Sequence, residues 1–132
     1  MIRLKSNKEL ELMRQAGRIT AAARAAAARA VRPGVTTGEI DKIVRKTIEK
    51  AGAKPSFLGY GGFPGSACVS INDEVIHGIP SRSRVIHEGD IVKVDVGAYI
   101  NGFHGDCACT IPCGEVSEEA RKLIAVTRQS FY

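Results

Sequence analysis

The sequence predicts an α+β domain, with helices first and antiparallel β-hairpins after them. Three observations carry this expectation. Two amphipathic, capped helical stretches occupy the first 52 residues. Runs rich in β-branched residues follow, at 67–79 and 91–111. The second run is interrupted by Asn101-Gly102, a strong short hairpin signal, because both residues tolerate the positive φ of a type I′ turn. The chain has 132 residues and 44% hydrophobic content, which suits one globular domain over residues 1–132.

Ser6-Asn7-Lys8-Glu9 has the spacing of a capping box and opens a helix expected to run to about Val31. Leu10, Met13, Ala16, Ala23, Ala27 and Ala30 supply its inner face, and Pro33-Gly34 stops it. Alanine favours helix, so AAARAAAARA reads as a stiff helix rather than as disorder. Thr36 and Glu39 repeat the capping box, Ile40, Ile43, Val44 and Ile48 form an apolar stripe, and Gly52 suits a C-terminal cap. A third helix starts at Ser117-Glu118-Glu119 and is still running, uncapped, at Phe131-Tyr132, as a helix cut short would be.

In the last hairpin, a two-residue loop at Asn101-Gly102 pairs Ile100 with Phe103, Tyr99 with His104 and Gly97 with Asp106. Val92, Val94, Val96, Ala98 and Ile100 then face the core, across from Phe103, Cys107, Cys109 and Ile111. Asp95 and Asp106 share the opposite face as diagonal neighbours, about 7–8 Å apart at Cα. Converging carboxylates repel unless a proton or cation lies between them, and two of them can reach inward to a shared metal site. Spacing alone also allows a plainer reading, in which each Asp ends a strand or pairs with a nearby Lys or Arg.

Residues 67–71 and 74–79 are expected to form another hairpin around Asn72-Asp73, with Cys68 opposite His77. The glycine-rich loop PSFLGYGGFPGS lacks the lysine and spacing of a phosphate loop, and its Phe57, Tyr60 and Phe63 suit either a ligand wall or core packing. Cys68, Cys107, Cys109 and Cys113 lack paired C-x₂-C knuckles, so Cys107 and Cys109 read as buried small hydrophobes rather than zinc ligands.

The net charge is +5, and arginines recur at 14, 18, 24, 29 and 32 along the first helix. Such a stripe is more often the solvated back of an amphipathic helix than an RNA or ribosome contact. Without interleaved aromatics, nucleic-acid binding is not expected as the main function, and no specific nucleic-acid partner is expected. No apolar run is long enough to span a membrane or to serve as a signal peptide, so a cytoplasmic protein is expected.

The strings RQAGRI, VRPGVTTGEID, GYGGFPGSACVSINDEVIHGIP and GDIVKVDVGAYINGFHGD together resemble type I methionine aminopeptidases, the pita-bread metallopeptidases, from Met1 to the end of the chain. The resemblance implies the N-terminal half only of a pita-bread (creatinase/aminopeptidase) fold, with the helices on the outer face of the sheet. It implies that Asp95 and Asp106 are metal ligands, that His77 contacts the scissile amide, and that Phe57, Tyr60, Phe63 and Cys68 line a pocket for an unbranched methionine side chain. His104 is not a ligand by the same comparison. The complete family site holds two divalent metal ions (Mn, Fe, Co or Zn) on five ligands, of which this chain supplies two. The activity implied for the complete enzyme is hydrolytic removal of the N-terminal methionine from nascent proteins, with the ribosome surface and a missing C-terminal half or a homodimer as partners, and the 132-residue chain alone is expected to be inactive or nearly so. A half-fold without catalysis, acting as a peptide- or ribosome-binding module, is the alternative.

Overall fold

The computed structural model describes residues 1–132. Helices α1 (Asn7–Ala30) and α2 (Thr37–Lys50) come first. Strands β1 (Lys54–Pro55), β2 (Ala67–Ile71), β3 (Ile91–Ile100) and β4 (Phe103–Pro112) follow, and α3 (Glu118–Phe131) ends the chain.

Both capping boxes form. The Ser6 hydroxyl accepts from the Glu9 N–H at 3.3 Å while the Glu9 carboxylate accepts from the Ser6 N–H at 2.7 Å. Thr36 and Glu39 do the same at 3.2 and 2.8 Å. Each box satisfies N–H groups that a helix start leaves without partners. At the end of α2, Gly52 adopts φ +77° and lets the Ala53 N–H reach the Ile48 carbonyl at 3.2 Å.

Strand β3 is the centre of an antiparallel sheet. It pairs along its whole length with β4, from Ile91 with Pro112 to Ile100 with Phe103, in the register the Asn101-Gly102 turn predicts. Asn101 and Gly102 have φ of 52° and 84°, as a type I′ turn requires. The other edge of β3 is shared end to end: Val92–Val96 pair with β2, and Ala98 and Tyr99 pair with the short β1. The sequence reading did not anticipate β1, whose two residues include a proline.

The expected pairing of β2 with Glu74–Ile79 does not form. Residues 74–80 have no regular structure, and Cys68 lies opposite Asp95 of β3 instead of His77. Two local features displace the expected register. The Glu74 carboxylate accepts from the Ile71 N–H at 2.8 Å, and Gly78 packs so tightly on β2 that a Cβ there would lie 2.3 Å from the Val69 carbonyl oxygen. The Gly78 carbonyl takes the Val69 N–H at 2.9 Å, two positions away from the simple hairpin register, and His77 absorbs the kink with φ 58°.

Helices α1 and α2 cover one face of the sheet. Val92, Val94, Val96 and Ala98 of β3 are fully buried beneath Ala23 and Ala27 of α1 and Ile40, Val44 and Ile48 of α2. Each buried isoleucine contributes roughly 1.5–3 kcal/mol. The small residues of α1 allow backbone-to-backbone approach, since a Cβ on Gly105 would lie 2.6 Å from the Ala16 carbonyl oxygen. Thr20 is buried with them, its hydroxyl donating to that same carbonyl at 2.8 Å. Leu10 and Met13, expected on the inner face, are each 37% exposed. The hairpin tip meets α1 at Gln15, which accepts from the Asn101 side chain, so the preceding turns overhang the sheet. Helix α3 buries none of its residues. No helix is long and apolar enough to cross a membrane.

Candidate metal centre

Because α1 and α2 occupy one face, the side chains of Asp95 and Asp106 stand on the other. Asp106 sits opposite Gly97 on β4, and Asp95 lies opposite Ala108 on the β4 side and Cys68 on the β2 side. Asp106 is exposed, whereas Asp95 is half-buried, with a buried Oδ1 that has no hydrogen-bond partner. A buried acceptor without a donor is costly and needs an explanation. Burial raises the Asp95 pKa above the ordinary carboxylate value, the adjacent Asp106 carboxylate raises it further, and the nearby His77 opposes the shift.

The charge of His77 is thus felt at Asp95, although His77 arrives from an irregular segment rather than from the expected strand. Its ring is exposed, and its left-handed backbone is an uncommon conformation for a residue other than glycine. Cys68 is buried at 6% exposure, and burial beside Asp95 and Asp106 pushes its thiol pKa up to about 11. Its thiol is thus held neutral, a poor nucleophile.

The aromatic loop approaches the same face. A Cβ on Gly97 would lie 2.8 Å from the Phe57 ring, so Phe57 rests on β3 two residues beyond Asp95. The loop closes on itself through Tyr60 N–H to Phe57 carbonyl at 3.0 Å and Gly59 N–H to Phe63 carbonyl at 2.8 Å. Phe63 is half-buried, and Tyr60 projects into solvent at 82% exposure. His104 stacks on Tyr99 with ring centroids 4.6 Å apart, and its Nδ1 is 2.9 Å from the Ser56 hydroxyl, a contact that ties it to the turn end of the hairpin.

One supporting residue escaped the sequence reading. Asp41 of α2 accepts from the N–H groups of Ser66 and Ala67 at 2.6 and 2.9 Å, anchoring the start of β2 and hence the position of Cys68. Its signal is faint, being one carboxylate on a helix flank.

A model of metallopeptidase family M24 matches residues 11–132. The chain belongs to metallopeptidase family M24. It is 55% identical over 132 residues to methionine aminopeptidase of Clostridium acetobutylicum, covering 100% of this chain and 53% of that protein. It is 49% identical to methionine aminopeptidase 1 of Bacillus subtilis with the same coverage. The crystal structure of methionine aminopeptidase from Thermotoga maritima superposes with a TM-score of 0.95 at 43% identity, over 98% of this chain and 52% of that one. Prolidase from Pyrococcus furiosus gives 0.78 at 27% identity, over 90% and 34%. The fold is that of the pita-bread peptidases, and the chain spans about half the length of the curated relatives it matches.

Membership of a metallopeptidase family implies divalent metal ions. The residues fit part of such a site. Asp95 Oδ1 is an unpartnered buried oxygen, and the adjacent carboxylate of Asp106 gives the hard oxygen donors that divalent cations take. No group of three or more His, Cys, Asp or Glu side chains converges there. The chain on its own thus offers fewer ligands than a closed transition-metal site uses.

Proposed function

We propose that this chain is the substrate-facing half of a methionine aminopeptidase, with Asp95 and Asp106 holding divalent metal. The single observation that carries the reading is the buried, unpartnered Oδ1 of Asp95 beside a second carboxylate. When bound, metal ions at such a site polarise a carbonyl and lower the pKa of water. Asp95 and Asp106 contribute fixed negative charge held by two paired strands, so their positions are set before any ligand arrives.

His77 is proposed to hydrogen-bond the scissile amide as its carbonyl becomes tetrahedral. Phe57, Phe63 and Cys68 are proposed to form the wall for an unbranched N-terminal side chain, and Tyr60 its outer rim. Glycine at 97 is needed for that wall, because any Cβ would displace the Phe57 ring. The proposed substrate is a nascent peptide with N-terminal methionine, met in the cytoplasm at the ribosome surface. The two-carboxylate count leads us to propose that the remaining ligands come from a complementary half.

A chimera tests this assignment. The matching half of the Clostridium acetobutylicum enzyme is replaced by residues 1–132, and methionine release from a Met-Ala-Ser peptide is measured with Mn or Co. The chimera should turn over. His77→Ala should lower kcat about 10²–10³-fold, the scale for removing one transition-state hydrogen bond. Asp95→Asn and Asp106→Asn should abolish activity. A chimera that unfolds cooperatively yet is inactive, or one that keeps its activity after Asp95→Asn, contradicts the assignment.

A further inference from the structure

Charge is divided sharply between the two sides of the molecule. Residues 1–54, which carry α1 and α2, hold 13 Lys and Arg against 5 Asp and Glu, whereas residues 55–132 hold 6 against 9. Within α1 and α2 themselves the count is 9 against 5, so about half of that excess belongs to the helical layer, on the side of the sheet away from Asp95 and Asp106. On α1, Arg14, Arg18 and Arg29 recur on the face opposite buried Ala16, Thr20, Ala23 and Ala27, and all three are exposed. On α2, Lys42 and Lys46 stand opposite buried Ile40, Val44 and Ile48 and are also exposed. The helices pack side by side; Arg14 to Arg29 spans about 22 Å along α1 and Lys42 to Lys46 about 6 Å along α2, and Arg14 and Arg18 share Glu11 at 3.3 and 3.4 Å. Arg29, Arg32, Lys42 and Lys46 take part in no ion pair.

We propose that the outer face of α1 and α2 binds the phosphate backbone of double-stranded nucleic acid, independently of sequence. The side chains select among polyanions. Neither helix contains an aromatic residue, so unpaired bases have nothing to stack on. Between the arginines α1 presents Ala21, Ala22 and Ala25, a low surface over which a rigid duplex can approach the cations of both helices. A membrane-surface helix needs bulky apolar groups to insert, and here the large apolar residues of α2 are turned inward against the sheet. Contacts of this kind are made to phosphate and carry no base readout. The peptidase reading has no part in this argument, and the two can fail separately.

The test uses the 132-residue chain and labelled RNA and DNA duplexes of one sequence, with fluorescence anisotropy followed across a salt series. Binding should weaken linearly in log–log form as salt rises. The variant R29Q/R32Q/K42Q/K46Q should bind about tenfold or more weakly at low salt, with a slope reduced by about 3. R121Q/K122Q/R128Q on α3, which also loses positive charge, should match the parent. Binding of either duplex with this pattern supports the proposal, and the comparison of RNA with DNA identifies the source of the phosphates. The proposal is overturned if neither duplex binds, if the two variants lose affinity equally, or if anionic phosphatidylserine vesicles bind while both duplexes do not.

Discussion

At the scale of single residues, Asp95 concentrates the tension between stability and use. Its carboxylate is half-buried, lacks a donor for Oδ1, and faces Asp106. Asp95→Asn removes one charge from that pair and should raise the melting temperature in EDTA. A gain of about 1 kcal/mol corresponds to about 4 °C for a domain of this size. An unchanged or lower melting temperature would show that the two carboxylates do not repel in the folded chain. The cysteines predict the response to alkali. Burial raises the thiol pKa at Cys68, Cys107, Cys109 and Cys113 from the ordinary 9.0. Above about pH 9 the unfolded chain therefore loses thiol protons that the folded chain still holds. The cysteine contribution to stability is intact below that pH and falls as pH rises through the folded values. Urea melts at pH 8 and pH 10, with and without replacement of Cys113 by alanine, read this directly: the variant should lose less stability between the two.

At the scale of elements, the contact of α1 with β4 depends on the absence of a side chain at Gly105. Gly105→Ala would place a Cβ 2.5 Å from the Thr20 hydroxyl and 2.6 Å from the Ala16 carbonyl. Overpacking of this kind should cost about 1–3 kcal/mol in denaturant unfolding. Ser6→Ala, which removes one cap, should cost about 1 kcal/mol. A Gly105→Ala effect smaller than that of Ser6→Ala would mean that the close α1–β4 packing contributes little. The β3–β4 hairpin could be read from the sequence because its determinants are local: an Asn-Gly turn and an alternating core face fix the register between them. The segment after β2 could not, because its register depends on tertiary contacts, with Gly78 pressed on Val69 and Glu74 folded back on Ile71. Strand β1 has too few residues to show a period. Thr20 was missed because a search for apolar residues passes over a hydroxyl that its own helix satisfies. The shared face of Asp95 and Asp106 was legible in the strand alternation, while the approach of His77 to Asp95 became visible only in three dimensions.

At the scale of the whole molecule, one side is finished and the other open. Helices α1 and α2 seal the inner face of the sheet, while α3 leaves Leu123, Val126, Phe131 and Tyr132 exposed by 59%, 53%, 84% and 93%. The outer edge of β4 has no strand partner. Open edges and apolar helix faces favour association with other chains. The 132-residue chain should show a mass by light scattering that rises with concentration, and a monomer at every dilution would oppose this. The most direct test of the central proposal, that Asp95 and Asp106 together form a cation site, is Mn²⁺ titration of this chain followed by the electron paramagnetic resonance signal of free Mn²⁺. The parent and Asp73→Asn, a control substitution at an exposed turn, should reduce that signal through weak binding, and Asp95→Asn and Asp106→Asn should each abolish the effect. Equal binding by all four proteins, or by none, would contradict the proposal.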